Sequence, residues 1–171
     1  MSYSVKVCVL GDFSVGKTSL VRKFAESRFD DRYLSTIGVR VSRKVIQLPE
    51  EIVTMLVWDT AGSEPFNDVV RAYYRGASGA LLVCDLTRPN TVQSLSSYAQ
   101  QFHSVNPGVP LIILGNKVDL VGTRVVSDDQ IARAADLLNA PWYLTSAKTG
   151  EAVEESFQAL GRFIHLERNK A

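Results

Sequence analysis

The sequence predicts a doubly wound α/β fold: a six-stranded, mostly parallel sheet with one antiparallel edge strand, flanked by five helices. Three observations predict it. Runs such as Ala80-Leu81-Leu82-Val83-Cys84 and Pro110-Leu111-Ile112-Ile113-Leu114 are apolar on both faces, which suits parallel strands covered by helices on each side. Strand-like runs alternate with amphipathic segments, without a low-complexity linker or an internal repeat. Two alternating segments meet at Leu48-Pro49-Glu50-Glu51, a tight polar turn that reads as a hairpin and makes one edge strand antiparallel.

Along the chain, Val5-Lys6-Val7-Cys8-Val9-Leu10 reads as a buried strand over 4–10, and Ser19-Leu20-Val21-Arg22-Lys23-Phe24 opens a helix over 16–26. The hairpin strands follow at 38–48 and 51–58. Phe66, Val69, Val70, Tyr73 and Tyr74 recur at helical spacing within a helix at 66–74, where they either bury against the sheet or stay partly exposed as a binding surface. Then come a strand at 79–85, a helix at 91–104, a strand at 110–115, a helix at 127–138, a strand at 142–145 and a helix at 151–168. Ligands of such sheets bind beyond the carboxyl ends of the strands, so the chemistry should gather after residues 10, 58, 85, 115 and 145.

A chain of 171 residues, 46% apolar and 22% charged, suits one soluble domain over 1–171. Lys and Arg number 19 against 18 Asp and Glu, a net charge of +1 that favours neither nucleic acid nor an anionic membrane. Cys8 and Cys84 lie inside apolar runs and read as buried small hydrophobes, in keeping with a reducing compartment. No signal peptide opens the chain, and no apolar stretch approaches the roughly 18 residues of a membrane span.

Gly11-Asp12-Phe13-Ser14-Val15-Gly16-Lys17-Thr18 fits the phosphate-cradling pattern G-x-x-x-x-G-K-[ST] in the strand, loop, helix context that it requires. Backbone N–H groups of such a loop converge on phosphate oxygens, and the positive end of the following helix adds to the attraction. Lys17 would reach the β- and γ-phosphates and the Thr18 hydroxyl would bind Mg²⁺. The bland alternative is a glycine-bearing turn whose Lys and Thr face water. After the third strand, Trp58-Asp59-Thr60-Ala61-Gly62 offers a strand-end carboxylate for Mg²⁺ and a glycine able to sense a γ-phosphate; alone, such an Asp would read as a turn former. Gly115-Asn116-Lys117-Val118-Asp119 and Thr145-Ser146-Ala147-Lys148 close two later strands. A carboxylate such as Asp119 accepts from both the ring N–H and the exocyclic amine of guanine, a donor pair that adenine lacks, which selects GTP over ATP.

The set Gly11 to Thr18, Thr36, Asp59 to Gly62, Asn116 to Asp119 and Ser146-Ala147-Lys148 resembles the five signature motifs of the Ras superfamily of small GTPases, in the same order and over nearly the whole chain. Ser35-Thr36-Ile37-Gly38-Val39, Trp58 to Gly62 and Tyr73-Tyr74-Arg75-Gly76-Ala77 are similar to the Rab branch. The resemblance implies a P-loop NTPase fold, the small G domain. It makes Phe29 the aromatic on the guanine edge, Tyr33 a lid over the phosphates, Thr36 a second Mg²⁺ ligand and γ-phosphate contact, and Lys117 a wall of the base pocket. Ala147 would offer its N–H to the guanine oxygen. The nucleotide contacts expected are therefore Gly11, Ser14, Val15, Gly16, Lys17, Thr18, Ser19, Phe29, Tyr33, Thr36, Gly62, Asn116, Lys117, Asp119, Ser146, Ala147 and Lys148. Thr18, Thr36 and Asp59 are the expected metal set, and Lys17, Thr36, Gly62 and Ser63 the expected catalytic set.

Two segments, roughly 30–40 and 60–75, would then be switches held by γ-phosphate and Mg²⁺ and released on hydrolysis. Effectors, exchange factors and activating proteins would engage them, and vesicle trafficking is the process such a member serves. Departures from the pattern bear on rate. Ser63 stands where a glutamine usually orients the attacking water, and it is too short to reach that water. Phe13 stands where a small residue is usual, and its ring should crowd an arginine finger, a contact worth about 10³–10⁵ in rate; the alternative is that Phe13 turns outward and a partner supplies the missing glutamine in trans. Arg40-Val41 replaces the usual Asp-Phe, and Pro65 stands where a basic residue is usual after Glu64. The expectation is a monomeric, cytoplasmic GTP-binding switch with GTP or GDP, Mg²⁺ and slow intrinsic hydrolysis. The alternatives are a constitutively GTP-bound adaptor and, less compatible with Asp119, a P-loop kinase or ATPase. The chain ends Glu167-Arg168-Asn169-Lys170-Ala171 with no prenylatable cysteine, so peripheral membrane attachment would depend on a lipidated tail in the full-length protein.

Overall fold

The computed structural model describes residues 1–25, the backbone of 32–34, and residues 39–60, 62 and 65–171. Its elements run β1 (Ser2–Leu10), α1 (Lys17–Ala25), β2 (Arg32–Leu34), β3 (Val39–Gln47), β4 (Ile52–Thr60), α2 (Asp68–Tyr74), β5 (Ala77–Asp85), α3 (Pro89–Gln93), α4 (Leu95–Val105), β6 (Leu111–Asn116), α5 (Asp128–Leu137), β7 (Trp142–Thr145) and α6 (Val153–Lys170). One sheet holds all the strands in the order β2-β3-β4-β1-β5-β6-β7. β1 lies parallel to β4 and β5, and β6 parallel to β5 and β7, while β3 is antiparallel to β4 and β2 to β3.

The expected fold class and all six expected strands are present. Two details differ. β2 adds a three-residue rung outside the hairpin, through Arg32↔Val41, Tyr33↔Arg40 and Leu34↔Val39, and a segment so short leaves no readable period in the sequence. The helix expected at 91–104 starts earlier and in two pieces, because Pro89 sits at the first helical position, where its fixed φ and missing N–H cost nothing.

The parallel strands are buried on both faces. Leu81, Val83, Ile112 and Leu114 turn toward α1 and α6, where Phe24 and Phe157 stack with ring centroids 3.9 Å apart. Leu82, Cys84 and Ile113 turn the other way, onto Tyr74 of α2, Phe102 of α4 and Ile131 of α5. β3 instead alternates, with Ile46 buried and Val45 46% exposed, because helices cover only one of its faces. Cys8 and Cys84 are free and buried, as expected. On α2, Val70, Tyr73 and Tyr74 are buried, Phe66 before it is half-buried and stacks on Tyr74, and Val69 stays 48% exposed.

Candidate nucleotide site

Register sets the site. Asp85, Asn116 and Thr145 are Cα partners across β5, β6 and β7, and Asp59 pairs with Val9 across β4 and β1. The carboxyl edge of the sheet therefore carries a row of buried polar side chains, and the segment between β1 and α1 lies against it.

Six consecutive carbonyls of that segment are tied to the protein. The Lys17 ammonium donates to the carbonyl oxygens of Gly11 and Asp12, both at 2.8 Å. The Phe13 carbonyl accepts from Arg88 Nη2 at 2.8 Å, Ser14 from Lys117 Nζ at 2.9 Å, Val15 from Asn116 Nδ2 at 2.9 Å, and Gly16 from the Leu20 N–H at 2.9 Å. A trans peptide whose carbonyl is held on one side points its N–H to the other. The segment is thus held from Gly11 to Gly16 beside a cleft of about 380 Å³, lined by Phe13, Ser14, Gly16, Lys17, Thr18, Ser19, Thr60 and Lys117. Gly16 is obligatory in it: its φ is +103°, and a side chain there would run into the Asn116 amide.

Lys17 is 4% exposed, and burial pulls its ammonium down to about 8, against the opposing pull of Asp59 and Asp12. The Thr18 hydroxyl donates to Asp59 Oδ2 at 2.5 Å. Burial raises the Asp59 carboxyl above its ordinary value, with the Thr18 bond and Lys17 working against it. Among the described residues its other oxygen, Oδ1, is buried without a hydrogen-bond partner. An unpartnered carboxylate oxygen beside a hydroxyl fits a hard divalent cation. Among the described residues no group of three or more His, Cys, Asp and Glu gathers anywhere, so such an ion would take most of its shell from phosphate and water, the habit of Mg²⁺ rather than of Zn²⁺.

At the other end of the cleft, Lys117 adopts a left-handed turn with φ +71° directly after β6. Asn116 is 1% exposed and bridges two elements, donating to Val15 and accepting from the Thr145 hydroxyl at 3.1 Å. Ser146 Oγ donates to Asp119 Oδ1 at 2.7 Å and accepts from the Thr149 N–H, which fixes the half-buried carboxylate beside the loop after β7. Ala147 is half-buried against the core and Lys148 is exposed. Gly62 lies against Gly11 and Lys17. The structure thus gathers Gly11, Ser14, Val15, Gly16, Lys17, Thr18, Ser19, Asp59 and Gly62 at one end, and Asn116, Lys117, Asp119 and Ser146 at the other. Phe29, Thr36, Ser63 and the side chain of Tyr33 lie outside the described residues, as do parts of both expected switches.

Three residues were missed. Asp85 is 1% exposed and holds both Lys117, at 2.7 Å, and Arg88 Nε, at 3.2 Å. Burial raises its carboxyl, but bonds from Lys117 and Thr87 outweigh this and hold it below the ordinary value. Arg88 then carries the Phe13 carbonyl. Asp12, third, accepts from Ser94 Oγ at 2.7 Å and from Tyr98 OH at 3.1 Å. The loop after residue 85 was expected to carry chemistry, and an acidic strand end there was the available signal.

The comparisons agree with this geometry. The Ras family model matches residues 6–166. The chain is 39% identical over 163 residues to the Ras-related protein Rab7 of Drosophila melanogaster, covering 92% of this chain and 79% of that protein. It is 36% identical over 162 residues to the Ras-related protein Rab-13 of Rattus norvegicus, covering 94% and 80%. A family model matched over residues 6–166 and relatives at 36–39% identity over most of the chain leave one assignment: the chain belongs to the Ras family of small GTPases, and within it is Rab-like.

Proposed function

We propose that this protein is a single-domain guanine-nucleotide switch that binds GTP and GDP with Mg²⁺, hydrolyses GTP slowly by itself, and offers its switch segments near 30–40 and 60–75 to effectors and regulators. The observation that supports it most is the run of six tied carbonyls from Gly11 to Gly16, which holds the loop in one conformation around Lys17, as a phosphate cradle would require. The Ser146-anchored carboxylate of Asp119 would read the guanine edge. Lys117 and Ala147 would complete the base pocket, with Phe29 and Tyr33 as further nucleotide contacts. Thr18 and Asp59, with Thr36, would hold Mg²⁺, which supplies charge neutralisation between the phosphates.

Slow hydrolysis follows from two side chains. Phe13 is 66% exposed and lines the cleft, and a ring that stays over the cleft would crowd an entering arginine. Ser63 lacks the reach of an amide that orients water. Among the described residues no helix is long and apolar enough to cross a membrane, so a stay at a membrane would be peripheral.

The test is the nucleotide carried by freshly purified protein, released by denaturation, separated by chromatography and followed over hours with Mg²⁺. GTP that decays slowly to GDP is the expected result. Persistent GTP with no turnover would mark a constitutive adaptor, and a site that takes up ATP as readily as GTP would remove the guanine reading.

A further inference from the structure

Tyr98 joins Gly62 to the phosphate loop, and it does so with a single proton. Its hydroxyl lies 3.1 Å from Asp12 Oδ1 and 3.2 Å from the Gly62 carbonyl oxygen. A phenol donates one hydrogen, so the two acceptors share it. Asp12 has a second donor in Ser94, whose hydroxyl reaches Oδ2 at 2.7 Å. Burial, and next the Asp12 carboxylate, push the Tyr98 phenol up to about 12, so it remains a donor through neutral pH.

Gly62 is where this donor matters. Its φ is +76°, and a side chain built there would strike the Gly11 carbonyl and stand 2.5 Å from Lys17 Nζ. The Gly62 backbone therefore packs directly against the buried ammonium that a terminal phosphate would pair with. From its place on α4, Tyr98 grips the Gly62 carbonyl and the Asp12 carboxylate together, which ties Gly62 to the loop.

We infer that Tyr98 is a positioning residue that keeps Gly62 closed on Lys17 and the phosphate loop, and so favours a bound nucleoside triphosphate over a diphosphate; the inference rests on the guanine-nucleotide reading above. The diphosphate makes no use of Gly62, and its binding is indifferent to the tether. The sharing of one proton sets the size of the effect: when Gly62 moves away, the hydroxyl turns wholly to Asp12, and only part of a hydrogen bond is lost.

The experiment compares affinities of the full chain, with Mg²⁺, for fluorescent GDP and a fluorescent non-hydrolysable GTP analogue. In Tyr98→Phe, which removes one oxygen and keeps the ring, the analogue-to-GDP affinity ratio is expected to fall about three- to tenfold, because loss of the Asp12 bond acts on both nucleotides alike and loss of the Gly62 bond on the analogue alone. Ser94→Ala, which takes a donor from Asp12 and none from Gly62, is expected to shift both nucleotides alike and leave the ratio within about twofold. An unchanged ratio in Tyr98→Phe, or an equal fall in Ser94→Ala, overturns the inference and leaves the nucleotide reading standing. Wild-type protein that binds neither guanine nucleotide overturns that reading, and this inference with it.

Discussion

Lys117 Nζ stands 2.7 Å from Asp85 Oδ2 and, with the same ammonium, 2.9 Å from the Ser14 carbonyl. Asp85 thereby reaches the phosphate loop twice, through Lys117 to Ser14 and through Arg88 to Phe13, although it touches neither residue. Each cation is aimed by the carboxylate and spends another proton on the loop.

Removing that charge should loosen the cradle without emptying it. Asp85→Asn keeps the shape and loses the charge-assisted bonds, each worth about 1.5–3 kcal/mol, so GDP should dissociate about tenfold faster or more. The rate of release of a fluorescent GDP into excess unlabelled nucleotide checks this, and a rate unchanged from wild type would show that the loop holds itself.

The same pair sets an acid limit. Asp85 titrates below its ordinary value of 3.8 in the folded protein, so the folded state binds fewer protons there than the unfolded chain. Its contribution is complete above the unfolded value and is lost as pH falls through the lower, folded one. The stability difference between wild type and Asp85→Asn should be flat from neutrality to about pH 5 and shrink below about pH 4, as read from urea midpoints.

Asn116, proposed to face the base, is also a structural tie. Asn116→Ala would strip the Val15 carbonyl of its donor and the Thr145 hydroxyl of its acceptor, both in buried surroundings. At about 1–3 kcal/mol per orphaned group, a loss of about 2–6 kcal/mol is expected in urea denaturation of nucleotide-free protein. A loss under half of that would mean water enters and replaces the amide.

Phe13 offers the opposite case, a residue whose removal should help. Its ring is mostly exposed, so Phe13→Gly should cost the fold little while opening the mouth of the cleft. With a cognate activating protein, single-turnover GTP hydrolysis should rise by about tenfold or more, toward the range that an arginine finger supplies. The intrinsic rate should stay low, because Ser63 remains.

Cys8 and Cys84 should be inert. Both thiols are 0% exposed, and burial pushes each up to about 12, so neither is a thiolate at neutral pH. A thiol reagent should modify neither in the native protein and both in denaturant.

Much of this molecule is local in the sequence. The phosphate loop is eight consecutive residues between an apolar run and a helix start, so Gly11, Gly16, Lys17 and Thr18 declare themselves. Runs apolar on both faces announced the parallel strands, and the polar turn at Leu48-Pro49-Glu50-Glu51 announced the antiparallel hairpin. Asp59 and Asn116 were legible as polar residues closing apolar strands, and Asp119 as a carboxylate in the loop that follows β6.

What tertiary structure alone decided are relationships between residues distant in the chain. Asp85 lies beside Lys117 because β5 and β6 pair in the register that sets Asp85 against Asn116, and no local period encodes that register. Arg88 reaches Phe13 across 75 residues, and Tyr98 reaches Asp12 across 86, because α3 and α4 return over the carboxyl edge of the sheet. Within α2 the spacing marked an apolar stripe, but only the packing of Tyr74 on Phe102 decided that Tyr73 and Tyr74 go inside and Val69 stays out. A motif fixes which groups a site contains; long-range pairing fixes which of them touch, because that depends on where the strands stop.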